Sequence, residues 1–161
     1  MHPSITIRTI QPSDNAAMAV IVRNSLAEFG ANKPGTVYYD PTTDALYELF
    51  QTKGSVYFVA EEEDKLLGGG GIYPTEGLPA KTCELVKMYL HKDARGKGLG
   101  KRMIEQCLTW AKDNGYEQVY LETMPEFKFN RIYVEKHQVS ISYSRLYFRL
   151  HSTSIFHPPT V

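Results

Sequence analysis

The chain has 161 residues, 42% hydrophobic and 22% charged, which is enough for one folded domain with a substantial core. Its 18 basic side chains balance 18 acidic ones, so it lacks the positive excess that drives wholesale binding to nucleic acid or an anionic membrane. The 2 cysteines, Cys83 and Cys107, have neither metal-ligand spacing nor the density of a secreted disulfide framework, and the 5 histidines are scattered.

These features predict a cytoplasmic protein with no metal. Met1-His2-Pro3-Ser4 lacks a basic region followed by an apolar stretch, and no segment is apolar for long enough to span a bilayer. The expectation is a single soluble domain over residues 1–161.

Ile5, Ile7 and Ile10, interleaved with polar residues, predict a first strand, and Pro12-Ser13-Asp14 stops it and caps a helix. Met18, Ile21, Val22, Leu26 and Phe29 share one face of that helix, which Gly30 ends. Asp40-Pro41 opens a short second helix carrying Leu46, Leu49 and Phe50. Val56 to Ala60 reads as a strand, and the acidic turn Glu61 to Asp64 leads into a partner strand around Leu67 to Tyr73. The run Gly68 to Gly71 within that partner leaves room for a ligand or another backbone; we read it as a substrate-cavity wall beside Glu84, against a merely flexible hairpin.

From Cys83 a strand runs into the basic, glycine-rich turn Arg95-Gly96-Lys97-Gly98-Leu99-Gly100-Lys101. Glycines at alternate positions let several N–H groups converge on one anion. Leu99, Met103, Cys107 and Trp110 recur at helical spacing, so the turn lies at a positive helix end suited to a diphosphate. Walker A fails, because Arg102 follows Lys101 and position 95 is not glycine; Gly-x-Gly-x-x-Gly fails because Lys101 replaces its third glycine. In strand geometry Glu84, Val86, Met88 and Leu90 share a face, so an acid interrupts an apolar row. Alternatively, Glu84 only marks the strand's exposed start.

Asn114-Gly115 closes the helix, Gln118 to Thr123 forms another strand, and Met124-Pro125-Glu126 begins a helix carrying Phe129, Ile132 and Tyr133. Ile141 to Leu150 has strand character, with Leu146, Phe148 and Leu150 alternating inward. The order is β-α-α-β-β-β-α-β-α-β, an α/β fold with a mixed sheet flanked by helices.

The signature Arg95-x-x-Gly98-x-Gly100 after an apolar strand resembles the coenzyme A motif of the GCN5-related N-acetyltransferases (GNAT), and the element order resembles their fold. The resemblance covers about Ile5 to Glu126. It implies an enzyme using acetyl-CoA as acyl donor, in which a primary amine of a small molecule or peptide attacks the thioester directly. The cofactor would be held by Arg95, Gly96, Lys97, Gly98, Leu99, Gly100 and Lys101 at the diphosphate, and by Met88, Tyr89 and Leu90 along the pantetheine arm and thioester. Glu84 stands where the family has a general base, and Tyr133 near its tyrosine acid. A register fixed on Glu135-Lys136 puts Val134 in the tyrosine's place and makes Tyr133 a core residue beside Phe129.

From Phe127 to Val161 there is no Gly, Ala or Asp, and Glu135 is the only acid. This abrupt change reads either as divergence of the acceptor half or as a shifted reading frame, and it leaves the last strands either incomplete or paired with a second subunit in a homodimer. Two rival functions remain: a coenzyme A-binding sensor or pseudoenzyme, and a nucleic-acid module using Lys92 to Arg102, which the neutral chain disfavours.

Overall fold

The computed structural model describes residues 4–122, 139–142 and 145–149. Its strands are β1 (Thr6–Thr9), β2 (Val56–Glu62), β3 (Lys65–Tyr73), β4 (Thr82–Leu90), β5 (Gln118–Glu122), β6 (Val139–Ser142) and β7 (Arg145–Arg149). Its α-helices are α1 (Asn15–Glu28), α2 (Leu46–Leu49) and α3 (Leu99–Asp113). The strands form one sheet in the order β1-β2-β3-β4-β5-β7-β6. Every neighbouring pair is antiparallel except β4 with β5, which are parallel and joined through α3.

Both faces of the central strands are covered, which explains the unbroken apolar run Val56 to Ala60. Val56, Phe58 and Ala60 pack with Leu99, Met103, Ile104 and Cys107 of α3. Tyr57 and Val59, pointing the other way, pack with Met18, Val22 and Leu26 of α1 and with Leu46 and Phe50. Each such large apolar side chain contributes about 1.5–3 kcal/mol by leaving water.

The acidic turn after β2 is tight, with Glu63 and Asp64 both at positive φ (48° and 63°) as a two-residue hairpin demands. Gly30 (φ 71°) and Gly115 (φ 87°) end α1 and α3 in the left-handed conformation. Asp14 does not cap α1. It accepts from the Gln11 N–H (2.7 Å) and pairs with Arg8, which also reaches Glu61 of β2 (2.8 Å).

Three expectations are corrected in detail. The second helix is broken: Asp40 caps a 3-10 turn, Pro41–Asp44, by accepting from Thr42 N–H, and the non-helical backbone of Ala45 (φ −134°, ψ 46°) separates it from the single turn of α2. Phe29 leaves the core and lies on the surface of the α1 C-terminus. The one strand expected over Ile141 to Leu150 is a hairpin of β6 and β7, with β7 inside the sheet against β5 and β6 at its edge. The helix expected from Met124, and Tyr133 with it, lie outside the described residues.

Candidate active site

After β4 the chain turns sharply. The His91 N–H donates to Leu67 O across β3 (2.7 Å), a 3-10 turn spans Lys92–Ala94, and buried Ala94 anchors it. Gly96 (φ 74°) and Gly98 (φ 78°) then take left-handed conformations that L side chains enter only under strain. This hooks the chain into α3, with Leu99 and Gly100 buried and Gly96, Lys97 and Gly98 exposed.

No N–H from Gly96 through Lys101 donates to an acceptor among the described residues, and no side chain caps α3. The first bond into the helix is Arg102 N–H to Gly98 O (3.2 Å). Six consecutive donors, the last three in the first turn of α3 at its positive end, therefore have no protein acceptor among the described residues. Lys97 and Lys101 are exposed beside them, Lys101 only 3.7 Å from Glu105.

Arg95 faces the opposite way. Its Nε and Nη2 donate to Leu90 O (3.1 and 3.0 Å), Nη1 donates to Glu28 (2.8 Å), and Nη2 also reaches Ser25 Oγ (3.3 Å). The guanidinium stacks 5.2 Å from the Phe29 ring centroid. Arg95 thus ties the turn to the end of β4 and to α1.

β4 and β5 part early. They pair only over Thr82–Glu84 with Gln118–Tyr120, after which β5 stays with β7 through Glu122. Past Glu84 that edge of β4 is without a β5 ladder among the described residues. Such an open edge accepts an extended amide-bearing chain.

At the same place β4 bulges. Gly69 opposes Tyr89 and Gly71 opposes Val86, so two β4 residues, Lys87 and Met88, face Gly70 alone. Lys87 carries the strain, with φ 50°. Its carbonyl accepts from the Tyr57 hydroxyl (2.7 Å), and its Nζ binds Asp40 Oδ2 (3.0 Å) with the Lys87 side chain only 10% exposed.

The bulge corrects the expected row of side chains. Cys83, Leu85 and, past the bulge, Met88 and Leu90 pack on the α3 side, whereas Val86 and Tyr89 pack on the α1 side. The extra residue reverses the alternation, so Glu84 shares a face with Val86 but not with Met88 or Leu90.

Glu84 is half-buried, opposite Tyr73 on β3 and Tyr120 on β5, and accepts a short hydrogen bond from the Thr75 hydroxyl.

Two glycines of the β3 run make room for an aromatic ring. A Cβ on Gly69 would lie 2.5 Å from Tyr57 Cε1, and one on Gly71 would lie 2.7 Å from Tyr57 Cδ2 and Phe50 Cε1. The Tyr57 ring lies across β3 where side chains would otherwise stand, and so reaches β4. Tyr57 was not among the residues singled out from sequence; the glycine run was its only local trace.

Cys83 and Cys107 are buried, and burial pushes the Cys83 thiol up to about 12 and that of Cys107 higher still, which keeps both protonated and poorly nucleophilic. No group of three His, Cys, Asp or Glu among the described residues is arranged to hold a metal, and no described helix is long and apolar enough to cross a membrane.

Comparison with known proteins agrees with this architecture. The Acetyltransferase (GNAT) family model matches residues 23–136. The chain is 40% identical over 122 residues to the uncharacterized N-acetyltransferase YjgM of Escherichia coli, covering 74% of this chain and 72% of that protein. It is 32% identical over 102 residues to human N-acetyltransferase 8, covering 59% of this chain and 45% of that protein. The fold matches yncA of Salmonella typhimurium, solved with acetyl-CoA, at a TM-score of 0.74 and 18% identity over 96% of this chain and 98% of that one. It matches the PaiA N-acetyltransferase of Thermoplasma acidophilum, solved with coenzyme A, at 0.72 and 17% identity over 91% of this chain and 99% of that one. The chain belongs to the GNAT family and is an acyl-CoA-dependent acetyltransferase.

Proposed function

We propose that the protein transfers an acetyl group from acetyl-CoA to a primary amine of a small molecule or peptide, by direct attack within a ternary complex. The observation that carries this reading is the row of six N–H groups from Gly96 to Lys101 without a protein acceptor among the described residues, just past the edge of β4 that β5 has left. The row suits a diphosphate and the edge suits the amide-bearing arm attached to it, so one ligand accounts for both.

In this reading Gly96, Gly98 and Gly100 let the diphosphate approach the backbone, and Lys97 and Lys101 offset its charge. Arg95 contributes by holding the turn in shape, since its guanidinium is already engaged by Leu90, Ser25 and Glu28. The N–H of His91 points to β3, so by alternation those of Leu90 and Met88 point to the open side, where they would bind the pantetheine arm and the thioester oxygen. Attack makes that oxygen an oxyanion, which a fixed donor stabilises most. A lysine-like amine has a pKa of about 10.4 and arrives protonated at neutral pH, so Glu84 takes its proton directly or through water.

Calorimetry with coenzyme A, followed by a thiol-release assay with acetyl-CoA and pooled amines, tests the reading. The expected result is saturable coenzyme A binding and thiol release that depends on the amine pool, with both lost in Gly98→Glu. Binding without release over a broad panel would make the protein a coenzyme A sensor. Absence of binding would overturn the assignment.

A further inference from the structure

We propose that Tyr57 is a positioning residue for acyl transfer, which holds the Lys87–Met88 peptide so that its N–H is presented to the thioester oxygen. The inference rests on the acyl-CoA reading above and adds to it the residue that sets the donor's direction.

Lys87 O and Met88 N–H belong to one trans peptide and point in opposite directions. The Tyr57 hydroxyl reaches Lys87 O from over β3 at 2.7 Å, so Met88 N–H is directed away from that ring, and alternation from the His91 N–H, which faces β3, turns it toward the side where the β4–β5 ladder has ended. A hydrogen bond to the carbonyl also polarises the amide, which strengthens the N–H as a donor.

Three features keep Tyr57 in that pose. Its ring is only 1% exposed, and Phe50 packs against it with centroids 4.9 Å apart. Gly69 and Gly71 clear its path over β3, where any larger residue would collide with the ring. Burial raises the hydroxyl's pKa well above its ordinary value, so it remains a donor. Lys87 is fixed in its left-handed conformation from the other end by Asp40, which stands between the two 3-10 turns before α2.

A buried tyrosine that crosses a neighbouring strand to reach a bulge carbonyl does more than fill space. Phenylalanine would fill the same volume without the bond to Lys87 O, and Gly69 and Gly71 keep the ring's path clear although glycine weakens a strand.

The test uses the 161-residue chain labelled with 15N at its 5 methionines, with Met88 assigned through Met88→Leu. Coenzyme A and acetyl-CoA are the probes. In the unaltered protein the Met88 amide proton is expected to move further downfield with acetyl-CoA than with coenzyme A. In Tyr57→Phe this difference falls by half or more while coenzyme A affinity stays within about threefold. Gly69→Ala, whose new methyl displaces the ring, gives the same loss if Tyr57→Phe does not fold.

If no methionine responds to coenzyme A, the acyl-CoA reading fails and this inference with it. If coenzyme A binds but Met88 does not distinguish the acetylated form, the inference alone is overturned, with or without a folded variant. An unchanged difference in Tyr57→Phe overturns it as well.

Discussion

Glu84 was legible from sequence as an acid at the start of an apolar strand, and it occupies a half-buried position opposite Tyr73 with Thr75 donating to it. Its assignment as base makes a pH-dependent claim. Glu84→Gln keeps the shape and the hydrogen bond from Thr75 but cannot take a proton. Coenzyme A affinity should be unchanged and kcat lowered by about 10²–10⁴ near pH 7, with the deficit shrinking toward pH 10 as the amine deprotonates unaided. A pH profile of kcat with an active amine checks this, and an equal deficit at every pH would remove Glu84 from proton transfer. Tyr57 was not legible in the same way, because nothing local to position 57 announces a bond to position 87.

Within elements, β3 and β4 explain each other. Periodicity identified both strands, yet the side-chain phase beyond Val86 was wrong because a bulge leaves no mark in an alternating pattern. Its glycines differ in what they tolerate. A methyl on Gly71 would sit 2.7 Å from the rings of Phe50 and Tyr57 and from Val56 O, whereas one on Gly70 would meet Met88 at 3.3 Å and Met103 at 3.5 Å, flexible side chains that yield. Urea unfolding should show Gly71→Ala destabilised by about 1–3 kcal/mol, as overpacking typically is, and Gly70→Ala by much less. Equal costs would mean that these rings do not demand the glycine. The turn before α3 is a different case: its glycines mark a sharp turn into a helix that could be read from sequence because the requirement is local. Arg95's attachment to α1 could not, since Ser25 and Glu28 lie some 70 residues away.

For the whole molecule, the two packed faces bury Cys83, Cys107 and Tyr57 and half-bury Tyr89, and burial raises the pKa of each. A raised acid keeps its proton in the fold while the unfolded chain releases it. The associated stability is therefore fully present below the unfolded pKa and is lost as pH rises. Loss should begin near pH ~8.5 for the thiols and near ~10 for the tyrosines, at roughly 1.4 kcal/mol per pH unit for each group in its window. Urea unfolding from pH 7 to 10 should show this decline, and Cys107→Ala should flatten it. A stability independent of pH across that range would contradict the burial of these groups.

The sequence by itself determined the class of fold, the glycine turn at the head of α3 and the acid on β4, because each depends on residues within a few positions of one another. Hydrophobic period, cap chemistry and the spacing of glycines are local quantities. Only the tertiary structure decided which way Met88 points, why β3 is poor in side chains and what Arg95 holds. Those answers depend on a tyrosine from one strand crossing a second to reach a third, and on a turn fastened to a helix distant in the chain. Contacts of that kind are made by packing, and no pattern along the chain records them.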